Sequence, residues 1–491
     1  MKKRREKKKA SPLLKFISRF LWVVSLALTV FFGYELFKLN MLPTKYYLIT
    51  MAVMFLIVFV VGAIALRKKP GRKSIIAISI LSLIFIAVAL FGALKIKDTV
   101  SFMEKNLGVK FETNVYYVLV NSDSEYKKLK DIKGETIYSY KDMKDMKPIE
   151  STLTKKVKVD IKYSESIYDL LNSLTSDNEL IVYVNSGNYD FMIQNNTEYE
   201  KKVKILDTIE IKTEKKVKKT GIDVTEDPFI ILINGIDTRS NSLPSRSLSD
   251  VNMLMVVNPK THNVLLVHIP RDYYLEIPGY GASDKLTHTG TIGGVDTTIA
   301  TIENAFGIKI SYYVRVNFNF VTNLVDSIGG IDIYNDQSYG FTCWTDSGCY
   351  FYPGANAGVD GRCALAFARE RYAYESGDRH RGENQEQVID QILHKVTTST
   401  AIISNYNGIL DALSGTFETN MSNEELTSLI KMQVDEMPSW TLEPFSVTGS
   451  GTSAYTLSYP NQELYVMIPD VNTMNEATAK INQLLGTESD E

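Results

Sequence analysis

With 491 residues, 44% of them hydrophobic and 23% charged, the chain has room for a membrane segment plus two or three domains, and it is too apolar to be disordered. A net charge of −3 gives no bulk attraction to nucleic acid. The charge that matters is local: seven of the first nine residues are Lys or Arg, and a second basic knot runs through Arg67, Lys68, Lys69, Arg72 and Lys73.

Three apolar runs frame those knots, at about 20–39, 46–66 and 74–94. Each has about 20 residues, the length that crosses a hydrocarbon core of about 30 Å. Three such runs joined by short polar links are not soluble core helices, and no small-residue cleavage site ends the first as a signal peptide requires. Lys2 to Lys9 hold the N-terminus in the cytoplasm, and the second basic knot holds the second loop there, whereas the first loop carries only Lys38 and Lys45. The third helix therefore exits, and everything after about Lys95 is expected outside. The expected division is a tail with three transmembrane helices over 1–97, an accessory α/β domain over 98–225, and a main domain over 226–491.

Between 112 and 218 strand and helix signals alternate. Strands are expected at 116–120, 136–140 and 179–184, a polar helix at 123–130 and another helix at 166–174. The stretch Ser124-Glu-Tyr-Lys-Lys-Leu-Lys-Asp-Ile-Lys-Gly-Glu-Thr-Ile137 resembles one lobe of the extracellular solute-binding proteins. One lobe offers no closed cleft, so the module reads as accessory. Residues 215–219 read as a basic linker.

From Asp227 the alternation is longer. Strands are expected at 229–233, 254–257 and 264–267, with Asn258-Pro-Lys-Thr-His-Asn263 as a turn. Val295, Ile299, Ile302 and Phe306 recur at helical spacing up to Gly307, and Ile308 to Val316 alternate as a strand. Val321, Leu324, Val325 and Ile328 form a second helical stripe that ends at Gly329-Gly330. A long helix after Gly382 would bury Val388, Ile389, Ile392 and Val396. Ser422 and Glu425 have capping-box spacing, and Pro469-Asp470 precedes a closing helix that ends near Leu485. The fold class expected is an α-β-α layered domain with a mixed sheet, preceded by the small α/β module and the membrane helices. The stripes 230–233 and 254–257 are candidates for lining a lipid pocket or for plain core.

Three cysteines occur late. Cys343 and Cys349 bracket a short loop that a disulfide would close, leaving Cys363 over. No CxxC and no HExxH occurs, so zinc has no support.

Polar residues gather at the expected strand ends. The first strand runs into Gly235-Ile236-Asp237-Thr238-Arg239. Arg246 and Ser249-Asp250 precede the second, and the third ends in Ile269-Pro270-Arg271-Asp272. Further on come Asp284-Lys285-Leu-Thr-His288 with Gly293-Gly294, Val325-Asp326-Ser-Ile-Gly329-Gly330-Ile-Asp332, Arg369-Glu370-Arg371, and Asp378-Arg379-His380-Arg381-Gly-Glu-Asn-Gln385. Arginines match phosphate oxygens with a planar fork, and one or two carboxylates suffice for a hard divalent cation beside them.

In this order the motifs resemble the LytR–CpsA–Psr family of cell-wall glycopolymer ligases, over roughly 227–485. The three membrane helices with an accessory module are similar to its capsule-linking branch. The resemblance implies a phosphotransferase. It would move a glycan phosphate (teichoic acid, capsule or a related anionic polymer) from a polyprenyl-pyrophosphate carrier to peptidoglycan, in the cell membrane of a Gram-positive-type bacterium. It implies Mg2+ or Mn2+ held by Asp237 and Asp250. It further implies phosphates gripped by Arg271, Arg369, Arg371, Arg381 and Gln385, with Arg239, Arg246, Lys285 and Arg379 as further substrate contacts. Where the family has an arginine two residues before the second aspartate, this chain has Leu248, so Arg246 or Arg239 is expected to substitute. Asp272 and Glu370 are candidates by type for a general base or for orienting an arginine. Arg315, if it faces solvent, is a control outside this set. A non-catalytic receptor for polyprenyl-linked sugars and a polyprenyl-pyrophosphate hydrolase are the alternatives.

Overall fold

The computed structural model describes residues 10–68, 70–106, 111–140, 146–164, 166–196, 198–214, 220–237, 243–375, 377–398, 409 and 414–486. The expected linker 215–219 and Arg239 lie outside the described residues. Two compact units result: Met1–Leu107 with Ser422–Ser439, and Gly108–Met421 with Trp440–Glu491.

In the first unit, α1 (Pro12–Leu39), α2 (Thr44–Ala65) and α3 (Arg72–Asn106) are each long and apolar enough to cross a membrane. Large apolar side chains such as Phe16, Phe59 and Phe91 stay exposed, as a lipid-facing surface requires. Glycines let the helices approach: Gly33 sits against Met51, Gly62 against Trp22 and Gly92 against Phe32, while Trp22 Nε1 donates to Val58 O at 3.1 Å. A further helix, Asn423–Glu436, starts with the expected capping box of Ser422 and Glu425 and belongs to this unit. Its Lys431 donates to Asn40 at 2.7 Å, and Asp435 pairs with Lys45.

The second unit holds two main sheets. The first, in the order β3-β2-β4-β1-β5, is built from β1 (Phe111–Asn121), β2 (Thr136–Tyr140), β3 (Asp160–Ser164), β4 (Ile181–Asn185) and β5 (Val203–Glu214). Its helices are α4 (Met146–Lys156), α5 (Ile167–Ser173), α6 (Ser186–Asn195) and α7 (Tyr199–Lys202). The polar helix expected at 123–130 is instead a loop with a short 3-10 turn at Leu129–Ile132. Asp131 takes the backbone N–H groups of Lys127 and Lys128 at 3.0 and 3.1 Å, and only Ile132 is buried there, so no apolar stripe holds a longer helix.

The second sheet, in the order β16-β11-β6-β7-β8-β17, is mixed. Its centre is an antiparallel meander of β6 (Phe229–Asp237), β7 (Leu248–Asn258) and β8 (Asn263–Ile269). A hairpin of β9 (Tyr274–Ile277) and β10 (Ala282–Lys285) follows and leads into α8 (Leu286–Gly293). Then come α9 (Val295–Phe306), β11 (Tyr312–Asn317), which pairs parallel with β6, and α10 (Phe318–Ser327). Gly307 stops α9 with φ 66°, the left-handed region that its missing Cβ allows. The strand expected from Ile308 begins only at Tyr312: Ile308 is buried in the core as a connector, and Glu303 accepts from Ile310 N at 2.8 Å.

Short strands β12 (Ile331–Asn335), β13 (Phe341–Thr342), β14 (Tyr350–Phe351) and β15 (Gly354–Val359) lead to α11 (Gly361–Arg369) and α12 (Asp378–Thr398). After β16 (Phe417–Thr419) the chain adds β17 (Thr441–Ser446), the hairpin β18 (Gly449–Thr456) and β19 (Tyr459–Pro469), and α13 (Val471–Leu485), capped by Asp470. Helices α9 and α13 pack on one face of the sheet, and α10 and α12 on the other, giving the α-β-α layers. The stripes around Ile230, Leu232, Leu254 and Val256 are core at 0–1% exposure, packed with Ile302 and Ile481.

The two sheets share a core. Leu248 and Leu464 pack among Val115, Val184 and Phe191, and Phe191 meets His288 edge-on at 4.7 Å. Asp284, His288 and Ser458 form a buried cluster that locks the β18–β19 hairpin to α8: His288 Nδ1 lies 2.6 Å from Asp284 Oδ1, and Ser458 N donates to Oδ2 at 2.7 Å.

The disulfide joins Cys349 to Cys363, not to Cys343. The loop expected to need a bridge is closed by its backbone, with Cys343 N donating to Cys349 O at 2.9 Å and Cys349 N to Asp346 O at 3.0 Å. This leaves the Cys349 sulfur to bond α11. Cys343 is buried, and burial with Glu370 nearby pushes its thiol up to about 12.

Candidate active site

A cavity of about 360 Å³ opens where the ends of β7 and β8 meet α11 and α12. Four arginines line it, from separate points of the chain: Arg271 after β8, Arg369 at the end of α11, Arg371 just beyond, and Arg381 in the first turn of α12. Asp250 and Gln385 line it too. The structure thus brings these six expected residues to one place.

Local bonding explains the convergence. Pro270 ends β8, and the turn that follows, with Tyr273 N to Pro270 O at 3.1 Å, presents Arg271. Asp250 is the extra residue of a β-bulge, since Ile236 pairs with Ser249 and Gly235 with Val251; bulges re-aim side chains beside sites. Its Oδ1 accepts from Arg271 Nη1 at 2.8 Å and from Thr287 Oγ1 at 3.0 Å. Burial alone would favour its neutral form, but the charges of Arg271 and Arg381 and these two bonds outweigh it and hold the carboxyl below its usual range. Asp250 is therefore an anion at neutral pH.

On the far side, α12 side chains cap the end of α11. Asn384 Nδ2 donates to Phe367 O at 3.1 Å and Gln385 Nε2 to Ala368 O at 3.2 Å, which fixes Arg369 relative to Arg381. Gln385 is not at a helix start, as expected from Gly382; α12 begins at Asp378, and its first turn carries Arg381. Because Nε2 is committed, the buried Gln385 Oε1 has no hydrogen-bond partner among the described residues. The Arg369 guanidinium sits 4.4 Å over the Phe318 ring, and that of Arg371 5.1 Å over Tyr372.

Neither base candidate lines the cavity. Glu370 accepts the backbone N–H groups of Trp344, Arg371, Tyr372 and Ala373 at 2.5–3.1 Å, so it ties the Arg371 loop to the Trp344 loop. Asp272 pairs with Lys285 at 3.1 Å and stands 3.8 Å from Arg271 Nε. Lys285 is therefore a brace for Asp272 and not part of the cavity wall. Arg379 is exposed, beside Glu383 at 3.5 Å, and it also lies off the wall. Arg246 does not fill the gap at Leu248: it is buried in a separate small cavity beside Arg315 and Asp296, because the turn after Pro244 runs along the first sheet, where Ser245 N bonds Thr113 O at 2.7 Å. Arg315 is no solvent-facing control. It lies inside the sheet at 2% exposure, bonded to Glu418 at 2.9 Å and Pro244 O at 2.6 Å.

Asp237 ends β6 with its backbone opposite Leu248, two residues before Asp250; its side chain is outside the described set. Both hydrogen bonds of Asp250 among the described residues fall on Oδ1, a donor set that would suit a hard divalent cation at Oδ2. Sequence reasoning missed Thr287, Phe318 and Trp344, and also Asp190, Ile193 and Gln194 of α6, all beside or in this wall. Only Thr287 carried a signal, inside the Asp284–His288 motif.

The model of the LytR_cpsA_psr family matches residues 180–481. The chain belongs to the LytR–CpsA–Psr family. It is 34% identical over 218 residues to a polyisoprenyl-teichoic acid–peptidoglycan teichoic acid transferase TagU of Enterococcus faecalis, covering 44% of this chain and 70% of that protein. The corresponding TagU of Bacillus anthracis is 34% identical over 228 residues, covering 46% and 71%. Among solved structures, TagT bound to LIIa-WTA superposes with a TM-score of 0.44 at 25% identity, covering 55% of this chain and 95% of that one. In this LytR–CpsA–Psr chain the match to the family model starts inside the first module, at β4, and so takes in α6.

Proposed function

We propose that the chain transfers a glycan phosphate from a polyprenyl-pyrophosphate carrier to a peptidoglycan hydroxyl, on the outer side of the membrane that α1 to α3 cross. What carries this reading is the convergence of four guanidinium groups and the ionised carboxylate of Asp250 on a single cavity of about 360 Å³. A diphosphate is the ligand that such a charge set suits, and arginine grips it with two parallel bonds per guanidinium. The relatives' names, as transferases of teichoic acid to peptidoglycan, support the same reading.

In the reaction the hydroxyl oxygen bonds to the sugar-side phosphorus and gives up its proton to solvent, the bond from that phosphorus to the bridging oxygen breaks, and polyprenyl phosphate leaves with that electron pair. Arg369, Arg371 and Arg381 offset the charge on the transferring phosphoryl oxygens, and Arg271, held by Asp250, does so from the opposite wall. Asp250, with Asp237 on the neighbouring strand, would hold a divalent cation, which when bound would neutralise charge on the leaving phosphate.

The test is reconstituted transfer: the full chain in vesicles with a lipid-linked glycan, magnesium and peptidoglycan oligomers, with products identified by mass. Joined glycan–phosphate–peptidoglycan is expected. Binding without turnover would point to a receptor, and free glycan phosphate to a hydrolase. Chelation should abolish transfer, and Asp250→Asn should mimic chelation while leaving the protein folded; chelator-resistant transfer would remove the cation from the reading.

A further inference from the structure

The helix that ends in Arg369 is tied to the β13–β14 hairpin at three points, one of them covalent. Cys363, Phe367 and Glu370 are spaced by four and three, so they share one face of α11 and its C-cap. Cys363 is bonded to Cys349, the residue just before β14. The Phe367 ring packs on Phe341 at 6.5 Å and on Phe351 at 4.9 Å. Glu370 accepts from Trp344 N, in the loop that joins β13 to β14, at 2.5 Å.

On its other side α11 rests on α10, where Gly361 packs on the Thr322 backbone and donates to Asp326 at 2.7 Å. The two arginines belong to different sides of this arrangement. Arg369 lies over Phe318 of α10 at 4.4 Å, whereas Arg371 lies over Tyr372, whose ring is 4.9 Å from Trp344 of the hairpin loop. The spacing of the two guanidinium groups therefore depends on how the α10–α11 pair sits against the hairpin. A nine-residue helix has little stability of its own and follows its contacts. Rings slide on one another and a carboxylate accepts from several directions, but a disulfide fixes its two backbones within a narrow range.

The bond is open to exchange from one side. Cys363 is half-buried, while Cys349 and Cys343 are sealed at 0–1% exposure. A dithiol attacks the Cys363 sulfur as a thiolate, and Cys349 leaves with the electron pair and takes a proton. The second thiol of the reductant then displaces Cys363, leaving two protein thiols and an oxidised reductant. Cys343 does not compete for Cys349 at neutral pH, because its thiol, pushed up to about 12, forms little thiolate.

We propose that the Cys349–Cys363 disulfide positions Arg369 and Arg371 against each other, so that the phosphate clamp is complete only in the oxidised protein. This rests on the proposed diphosphate clamp, whose two arginines the bond aligns.

Full-length protein in nanodiscs is titrated with undecaprenyl pyrophosphate before and after dithiothreitol, at a temperature where thermal unfolding shows both forms folded. Reduction should raise the thiol count of denatured protein from one to three, and reoxidation should reverse it. Carrier affinity should fall about tenfold on reduction and return on reoxidation. Cys363→Ser should bind as the reduced protein does and lose nothing more with reductant. Coupling to the arginines separates alignment from general support of the fold. In Arg271→Lys, on the opposite wall, reduction should again cost about tenfold, whereas in the double variant Arg369→Lys, Arg371→Lys, whose forks are gone, it should cost less than about twofold. Equal affinity of the oxidised and reduced forms, or the same loss in both arginine backgrounds, overturns the positioning role while the clamp stands. So does a reduced form that is unfolded at every assay temperature, since the bond then holds the fold and not the arginines. Oxidised wild type that binds no carrier, with the double variant making no difference, overturns the clamp and the positioning role together.

Discussion

Arg371 is held from its backbone and its guanidinium at once: Glu370 accepts its N–H at 3.0 Å, and its Nη2 donates to Tyr372 OH at 3.2 Å. Lysine in its place would keep the charge and lose the planar fork. Arg371→Lys should therefore cost on the order of 1–3 kcal/mol of transition-state stabilisation, or about tenfold to a hundredfold in kcat/KM. Arg362→Lys is the control, since Arg362 is exposed and, among the described residues, paired with Asp346 at 2.8 Å; equal losses in the two would break the link between the fork and catalysis. Glu386, one residue past Gln385, has a different consequence. Burial pushes its carboxyl up to about 7, even though Ser446 Oγ donates to it at 2.9 Å. A folded-state pKa above the unfolded one means stability that is full below the unfolded value and declines as pH rises through the folded one, here from about 4.5 to about 7. Glu386→Gln removes that decline. Thermal unfolding of the full chain should show the variant more stable than wild type at pH 8, by on the order of 3 kcal/mol at most, and equal to it at pH 4; a variant no more stable at pH 8 would refute a buried charge there. At this scale the site was legible wherever a motif carried the residue type, as at Arg271, Asp250 and Arg381. It was not legible where the direction of one turn decided, as for Arg246, whose neighbour Ser245 is bonded to Thr113 of the first sheet.

At the scale of elements, α12 places the clamp, and its seating depends on Gly382. The His268 ring lies where a Cβ on Gly382 would be, so α12 can approach β8 only without a side chain there. Burial, with Arg381 next to it, drives His268 down to about 3, so this ring stays neutral and adds no charge behind the clamp. Gly382→Ala forces the ring or the helix aside, at a cost of about 1–3 kcal/mol typical of overpacking. Because Arg381 precedes Gly382, transfer activity should fall more than stability alone explains; carrier affinity at a temperature where the variant is fully folded checks this. Unchanged affinity there would free Arg381 from the packing of α12. Periodicity read the helices with clean apolar stripes well, such as α9 with its Gly307 stop. It missed α6, whose two faces are both partly buried, one by core and one by the cavity wall, so no polar stripe marks it. It also placed the start of α12 too late, because the first turn is polar and faces the site.

For the whole molecule the transfer reading requires the second unit on the outer side of the membrane. Three crossings by the three candidate spans among the described residues would put the two ends of the helical region on opposite sides. Positive charge decides which: the first nine residues and the α2–α3 link with Arg67, Lys68 and Arg72 are basic, while the α1–α2 link has little beyond Lys38 and Lys45. This asymmetry predicts the second unit outside, a compartment in which a disulfide such as Cys349–Cys363 would persist and peptidoglycan would be within reach. Two measurements on intact protoplasts test it. Added protease should remove nearly all of the chain after α3 while an N-terminal tag survives. Protein then denatured without reductant should expose one reactive thiol, that of Cys343, out of three. Full protection of the C-terminal portion together with three free thiols would place the second unit in the cytoplasm, away from any peptidoglycan acceptor. The arginine cavity would then have to serve a cytoplasmic anion, and the transfer reading would fall with the topology.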